Sequence, residues 1–342
     1  MRVRKLSAAL ALFVAIASSA AAQSESYSLW KKLKVGGDGG WDYLVVDADG
    51  RRFYVSRSTR VTVFDADTLA QVGEIPNTQG VHGVALAPDL GRGFTSNGRA
   101  GTITAFDLKS LQRVGDWKVT GENPDAIVYD APTHRVFTLN GRSSNASVLD
   151  ARSGAIVATL PLGGRPEFAV SDGSGRVYVN IEDKSEVVAI DPAKPDVVGR
   201  WPLAPCEEPS GMAIDRKAKM LFIGCSNRLV ALFDASAGKV AGTLPIGAGV
   251  DANAFDPGTG LAFSSNGEGT LTVIGKNVRG DYTVLQTVTT QRGARTMAVD
   301  EKSHRAYTVT ADFGPPPSPT ADQPHPRPAM VPGTFTILVY AR

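Results

Sequence analysis

The sequence predicts an all-β fold, a seven-bladed β-propeller closed by an N-terminal strand that completes the C-terminal blade. The first observation is a repeat: an aromatic closes a short apolar run at Tyr54, Phe94, Phe137, Tyr178, Phe222, Phe263 and Tyr307, at intervals of 40, 43, 41, 44, 41 and 44 residues. That is the period of a four-stranded blade. The second is the order inside each unit. WDYLVVDADGRRFYVS from Trp41, PDAIVYDAPTHRVFTLN from Pro124 and RTMAVDEKSHRAYTVT from Arg295 each give an apolar strand, a polar turn and a second strand. The third is that the two chain ends are complementary fragments of one unit.

Within a unit, a third strand ends in two apolar residues and an aspartate, at Asp65, Asp107, Asp150, Asp191 and Asp234. A fourth follows, such as IVATLPLGG from Ile156. Short strand runs broken by turn residues indicate antiparallel sheets rather than βαβ units. A single blade cannot bury both of its faces, so the units must pack on each other around an axis. Leu33–Gly37 reads LKVGG, matching the fourth-strand LPLGG at Leu160–Gly164 but with no strands before it, whereas the last unit stops at Arg342 after three. Pairing the two closes the ring and removes two sheet edges. The strand-end aspartates are expected to accept backbone amides in the turns that follow them. The SNG and LNG triplets at Ser96, Leu139 and Ser265 are expected to supply tight-turn residues.

Residues 1–22 combine a basic start (Arg2, Arg4, Lys5), an apolar stretch from Ala8 to Ala17 and Ala20-Ala21-Ala22 before Gln23. This reads as a secretory signal, too short for a spanning helix. Residues 23–342 then form one propeller domain, expected in the bacterial periplasm or secreted, with no membrane span. Without the leader 33 basic residues face 34 acidic ones. Such a balance gives no general attraction to nucleic acid or membrane. In an exported chain the two cysteines, Cys206 and Cys225, are disulfide candidates. Ser210 falls opposite Cys225 in the expected hairpin and Cys206 lies four residues upstream, so a folded-back loop joins the sulfurs; two unpaired thiols are the other arrangement.

The innermost strand of each blade begins at the mouth of the central channel. Counting back along the repeat places Asp42, His82, Asp125, Glu167, Ser210, Asp251 and Arg295 there, with Glu207 and Glu208 close by. Pro124, Pro166 and Pro209 stiffen three of these strand starts, a position where proline costs no ladder bond. Two carboxylates about 6 Å apart at an effective dielectric of about 20 repel by about 3 kcal/mol, or about two pKa units. Four carboxylates facing Arg295 therefore hold protons, charge His82, or take up a cation or hydrogen-bonding ligand; otherwise water in a wide channel screens them. Asp125, Glu167 and Asp251 are the candidate ligands for a divalent cation, the one cofactor the sequence suggests. A small molecule or a protein segment is the expected partner at this face.

Two loop features surround the mouth. The link between second and third strands runs, in the last blade, from Ala311 to Pro332 with eight prolines, a composition that favours extended polyproline conformations. It reads as a lid or docking arm, with His325 and Arg327 within reach of the channel if it folds inward, or as a tolerated surface insertion. In other blades this link carries Arg57, Arg60, Arg99, Arg142, Lys184 and Arg228, a basic collar suited to single-stranded DNA, although only Trp41 and Phe168 are placed to stack on bases. No nucleophile elbow, HExxH or paired CxxC is present.

RRFYVS at Arg51, GRVYVN at Gly175, VHGVALAP at Val81, NPDAIVYD at Asn123, EEPSGMAID at Glu207 and QRGARTMAVD at Gln291 resemble the exported YVTN-type seven-bladed propellers, the YncE-like family. The resemblance covers the chain after the leader and implies a non-catalytic binding or scaffold protein, single-stranded DNA among its ligands. In architecture the chain is also similar to the seven-bladed lactonases. That likeness implies a ring-opening hydrolysis with His82 as general base, Glu167 as its partner and Arg295 stabilising the oxyanion.

Overall fold

The computed structural model describes residues 26–318 and 328–342. The leader at 1–22, His325 and Arg327 lie outside the described residues. Seven four-stranded antiparallel sheets form the blades of a seven-bladed β-propeller. Their innermost strands are Leu44–Asp47, Val81–Ala87, Pro124–Asp130, Pro166–Ser171, Pro209–Asp215, Val250–Asp256 and Met297–Asp300, which define blades 1 to 7. No described helix is long and apolar enough to cross a membrane.

Ser28–Lys34 pairs antiparallel with Thr336–Ala341 and is the outer strand of blade 7. Leu33 and Lys34 occupy the strand's end, as Leu160 and Pro161 do in blade 3, so the matching LKVGG and LPLGG segments mark the same point of the blade. The seam is locked beyond its ladder. Tyr27 exchanges two hydrogen bonds with the Gln286 side chain at 2.9 and 2.8 Å, and its hydroxyl donates to the His304 carbonyl at 2.7 Å.

The core is divided among the seven interfaces between neighbouring blades. Phe137, Leu139 and Val148 of blade 3 meet Val177, Ile181 and Val188 of blade 4, for example, and Phe53 and Phe64 of blade 1 meet Tyr307, Ile337 and Val339 of blade 7. The seven repeat aromatics sit mid-way along second strands and are buried. Each such side chain contributes about 1.5–3 kcal/mol by leaving water. At the far end of the channel, buried carboxylates tie blades together: Asp130 accepts from Ser171, Asp256 pairs with His304 and Asp300 with Arg51.

Asp65, Asp107, Asp150, Asp191 and Asp234 accept the amides two and three residues on, as expected of turn caps. The SNG and LNG asparagines behave otherwise. Asn97, Asn140 and Asn266 remain in their strands, buried, and their amides donate to side-chain oxygens of the third strand, Thr104, Ser147 and Thr272. They are struts within the blade rather than turn residues.

Cys206 and Cys225 are joined by a disulfide, with Cα atoms 5.4 Å apart. The register differs from the expected one by a residue: Pro209, not Ser210, faces Cys225, because a β-bulge follows Pro209. Closing a loop of this length stabilises by about 3 kcal/mol through the unfolded chain's entropy. The double variant Cys206→Ala with Cys225→Ala is expected to lose about 2–4 kcal/mol in urea denaturation under non-reducing conditions. Equal stability of the two proteins contradicts a structural bond here.

Candidate functional site: an acidic cavity on the propeller axis

The bulge recurs at the start of the innermost strand. In blades 2 to 6 the first residue, Val81, Pro124, Pro166, Pro209 or Val250, pairs with the last residue of the second strand, and the register shifts immediately after it. The first residue is buried; the next lines the axial cavity in blades 2, 3, 4 and 6, as His82, Asp125, Glu167 and Asp251. A bulge leaves backbone groups outside the ladder, and these need other partners. The preceding blade supplies one in blades 3 and 5, and does likewise for the loop that enters blade 7. Ser96 Oγ donates to the Asp125 carbonyl, Asn180 Nδ2 to the Ser210 carbonyl at 2.6 Å, and Ser265 Oγ to the Arg295 carbonyl.

This construction encloses a cavity of about 180 Å³ lined by Asp42, His82, Asp125, Glu167, Asp251 and Arg295. Asp42 and Arg295 enter it two residues ahead of the shorter innermost strands of blades 1 and 7. Ser210, the uncharged member of the expected ring, is not among the lining residues, and Glu207 and Glu208 are exposed outside it. Residues adjacent to the ionisable ones complete the wall: Tyr43, Leu44, Phe168, Ala252, Thr296 and Met297. Tyr43 and Phe168 stack at 5.5 Å, and the Tyr43 hydroxyl donates to the Glu167 carbonyl at 3.3 Å. The repeat shows which residues reach the axis, but not that their neighbours would pack across it.

Each cation has chosen one carboxylate. His82 Nδ1 lies 2.6 Å from Asp42 Oδ2 and 3.6 Å from Asp125 Oδ1. Arg295 Nη1 donates to Asp251 Oδ1 at 3.1 Å. The expected partnership of His82 with Glu167 is not formed, since the blade 1 carboxylate is nearer. Glu167 instead shares a hydrogen bond with Glu182, a residue of the link between second and third strands that sequence reading passed over. Gly98 is required beside this cluster, as a Cβ there would come 2.6 Å from His82 Nε2 and 2.9 Å from Asn123 Oδ1.

The two carboxyls left with the weakest compensation carry the electrostatic load. Burial, helped by the fields of Asp42 and Asp251 and opposed by His82, raises Asp125 to about 6. Burial, then the charges of Asp125 and Glu182, raise Glu167 well above the usual carboxylate range. For His82, burial acts to lower the pKa; the hydrogen bond to Asp42 and the charges of Asp125, Asp42 and Glu167 outweigh it and raise it. Burial also raises the Tyr43 hydroxyl far above its usual value, so it stays a neutral donor.

Ligand atoms of Asp42, His82 and Asp125 lie within 4.8 Å of one another, the set of described residues that could hold a metal ion. This differs from the expected set of Asp125, Glu167 and Asp251, because Asp251 is committed to Arg295 and Glu167 to Glu182. Two carboxylates and an imidazole suit a divalent transition metal, whose binding needs the ligating imidazole nitrogen free of its proton. The basic collar is also altered. Arg57 is buried, 3.7 Å above the Phe335 ring, and donates to the Asp38 and Gly39 carbonyls, while Arg60 and Arg228 pair with Asp38 and Glu268.

No family model matches the chain, and no curated protein matches it. Among solved structures, that of U3-55K is similar, with a TM-score of 0.74 over 91% of this chain and 98% of that chain at 10% sequence identity. At that identity the likeness speaks for the propeller fold alone.

The raised carboxyl has a signed consequence. Between its ordinary pKa near 4 and about 6, folded Asp125 holds a proton that the unfolded chain has released, so stability falls as pH rises through this window. His82, also raised, adds stability below about pH 6.5 that is lost as pH climbs through its folded value. Asp125→Asn is expected to remove about 1–3 kcal/mol of the decline between pH 4 and 7 in urea denaturation. An unchanged slope contradicts the assignment of the buried proton to Asp125.

Proposed function

We propose that this protein is an exported, YncE-like β-propeller that binds rather than catalyses, taking the cationic group of a small ligand, or an ion, into the axial cavity at the channel mouth. One observation carries the reading: four carboxylates converge on a small enclosed volume holding two cationic side chains, each already paired, and two of the carboxyls are pushed up in pKa by burial. A cationic ligand replaces the protons that these carboxyls retain, so its arrival relieves a cost built into the empty ring. The leader-like residues 1–22 support a periplasmic or secreted location for this function.

The hydrolase alternative has one supporting feature, the hydrogen bond between His82 Nδ1 and the Asp42 carboxylate, which orients the ring. Two observations weigh against it. The hydrogen bond to Asp42 and the surrounding carboxylates hold the proton on His82 against burial, which disfavours it as a general base. Arg295, the expected oxyanion donor, is neutralised by Asp251. Single-stranded DNA loses support with the burial of Arg57 and the pairing of Arg60 and Arg228.

A thermal-shift panel on the chain from Gln23 tests these readings, using calcium, manganese and zinc ions, chelator, alkylamines, lactones and single-stranded DNA. A cation or amine at 100 times its dissociation constant stabilises by about 2.7 kcal/mol. Asp125→Asn with Glu167→Gln is expected to keep or raise the unliganded melting temperature and abolish that shift. A shift that survives the double substitution places the ligand elsewhere. A double variant that fails to fold makes the ring structural, and lactone turnover lost in His82→Ala makes the protein an enzyme.

A further inference from the structure

Beside the acidic cavity, and sharing Arg295 with it, lies a second and larger hollow of about 480 Å³, within the range of about 300–1,000 Å³ that small-ligand sites occupy. Trp41, Val250, Phe313, Pro328 and Met330 make its wall apolar. Contacts within the chain hold that wall in place. Phe313 and Met330 form an antiparallel bridge, in which the Gly314 amide donates to the Ala329 carbonyl at 2.9 Å and the Val331 amide to the Asp312 carbonyl at 2.8 Å. The Phe313 ring is seated on Gly293, where a Cβ would come 2.5 Å from Phe313 Cε2, and it lies 6.2 Å from the Trp41 ring. Trp41 in turn packs on the buried Phe335 at 5.5 Å. Aromatic surface fixed in this way costs a ligand little ordering.

Charge on the wall is of one sign. Arg292 and Arg295 line it, and among the described residues no carboxylate does. The two arginines differ. Arg295 gives an N–H to Asp251, which belongs to the acidic cavity. The Arg292 guanidinium has neither an ion pair nor a hydrogen bond with any described residue, whereas Arg57, Arg60 and Arg228 around the same mouth are each held by a carbonyl or a carboxylate. Asp312, next in the chain to Phe313, accepts from Gln291 and is not on the wall. The backbone that carries Arg292 is anchored: its carbonyl accepts from Thr310 Oγ1 at 2.7 Å, and the following amide, of Gly293, donates to the Gly267 carbonyl at 2.8 Å. An unpaired guanidinium is thus rooted beside a preformed apolar surface.

We infer that this hollow is a binding site for a monocarboxylate with an apolar body, independent of the cation site proposed above. The carboxylate takes the Arg292 fork, whose parallel N–H groups match its two oxygens, and the body covers Trp41, Phe313 and Met330. A neutral apolar ligand leaves the guanidinium without a partner. A dianion gains at Arg292 but meets the fields of Asp42 and Asp251, one residue along the chain from Trp41 and Val250. One negative charge on an apolar frame is what the wall matches.

Calorimetric titration of the chain from Gln23 with 3-phenylpropionate, 3-phenylpropan-1-ol, phenethyl phosphate and acetate tests the assignment. 3-Phenylpropionate is expected to bind at least tenfold more tightly than the other three. Arg292→Gln is expected to bring it down to the level of the alcohol while leaving the alcohol's affinity and the melting temperature unchanged, a pattern that a general loss of structure does not produce. Phe313→Ala is expected to weaken 3-phenylpropionate about tenfold and acetate hardly at all. Asp125→Asn with Glu167→Gln is expected to leave 3-phenylpropionate binding in place, so this site and the cation site fail separately. The alcohol binding as tightly as the acid overturns the anion recognition, the phosphate binding as tightly overturns the monocarboxylate class, and acetate binding as tightly overturns the role of the aromatic wall. Acid binding that survives Arg292→Gln unchanged but is lost in the Asp125 and Glu167 double variant places the ligand in the acidic cavity and overturns the second site. Absence of 3-phenylpropionate binding at millimolar concentration overturns it as well.

Discussion

The site depends on a single backbone event, the one-residue departure from the ladder at the start of the innermost strand. Without it the side chain after Val81, Pro124, Pro166 or Val250 follows the pleat of the sheet, and the ionisable groups do not converge as they do. The departure strands backbone carbonyls in a buried place. In blades 3 and 5 the preceding blade offsets this cost, as Ser96 does for the Asp125 carbonyl and Asn180 for the Ser210 carbonyl. The geometry of the cavity is therefore a property of pairs of blades. It exists only while every pair is in contact, which makes the seam between Ser28–Lys34 and Thr336–Ala341 part of the site although it lies at the rim.

Convergence sets the electrostatics. Like charges drawn from separate blades meet on an axis that the fold cannot widen without opening blade interfaces, and each interface is filled by close-packed apolar side chains. Relief comes from protons and from the two cationic residues rather than from separation. Asp42 with His82, and Asp251 with Arg295, pair nearest neighbours, and what remains falls on Asp125 and Glu167.

Much of the architecture was legible because the repeat is a physical necessity: a blade must place an aromatic mid-strand to fill the gap to its neighbour, and that residue recurs every 40 to 44 positions. Counting from it located Asp42, His82, Asp125, Glu167, Asp251 and Arg295 on one cavity. Pairing was not legible. Which carboxylate His82 chooses depends on distances across the axis, and the repeat supplies an angular order without a radius. The bulge was invisible for a related reason: a register shift common to several blades changes no spacing between them, so Ser210 was placed opposite Cys225 where Pro209 stands. Arg57 was misread because its burial depends on Phe335 of blade 7, a partner on the far side of the ring closure. Buried asparagines such as Asn140 carry the same residue type as a turn signal, and only the packing decides between the two roles.

The position of Thr296 joins these threads. Blades 1 and 7 have innermost strands of four residues against six or seven in the others, so the chain reaches the axis there as a loop. Loop backbone brings consecutive side chains, Arg295, Thr296 and Met297, to the same cavity wall, which a pleated strand does not do. Asp125, Glu167 and Asp251 come from strand starts, and Asp42 and Arg295 from the loops that enter blades 1 and 7. A ring of equivalent blades offers a ligand no orientation; the irregular blade supplies one. The carboxylates themselves come from blades 1, 3, 4 and 6, and blade 5 adds nothing to the wall.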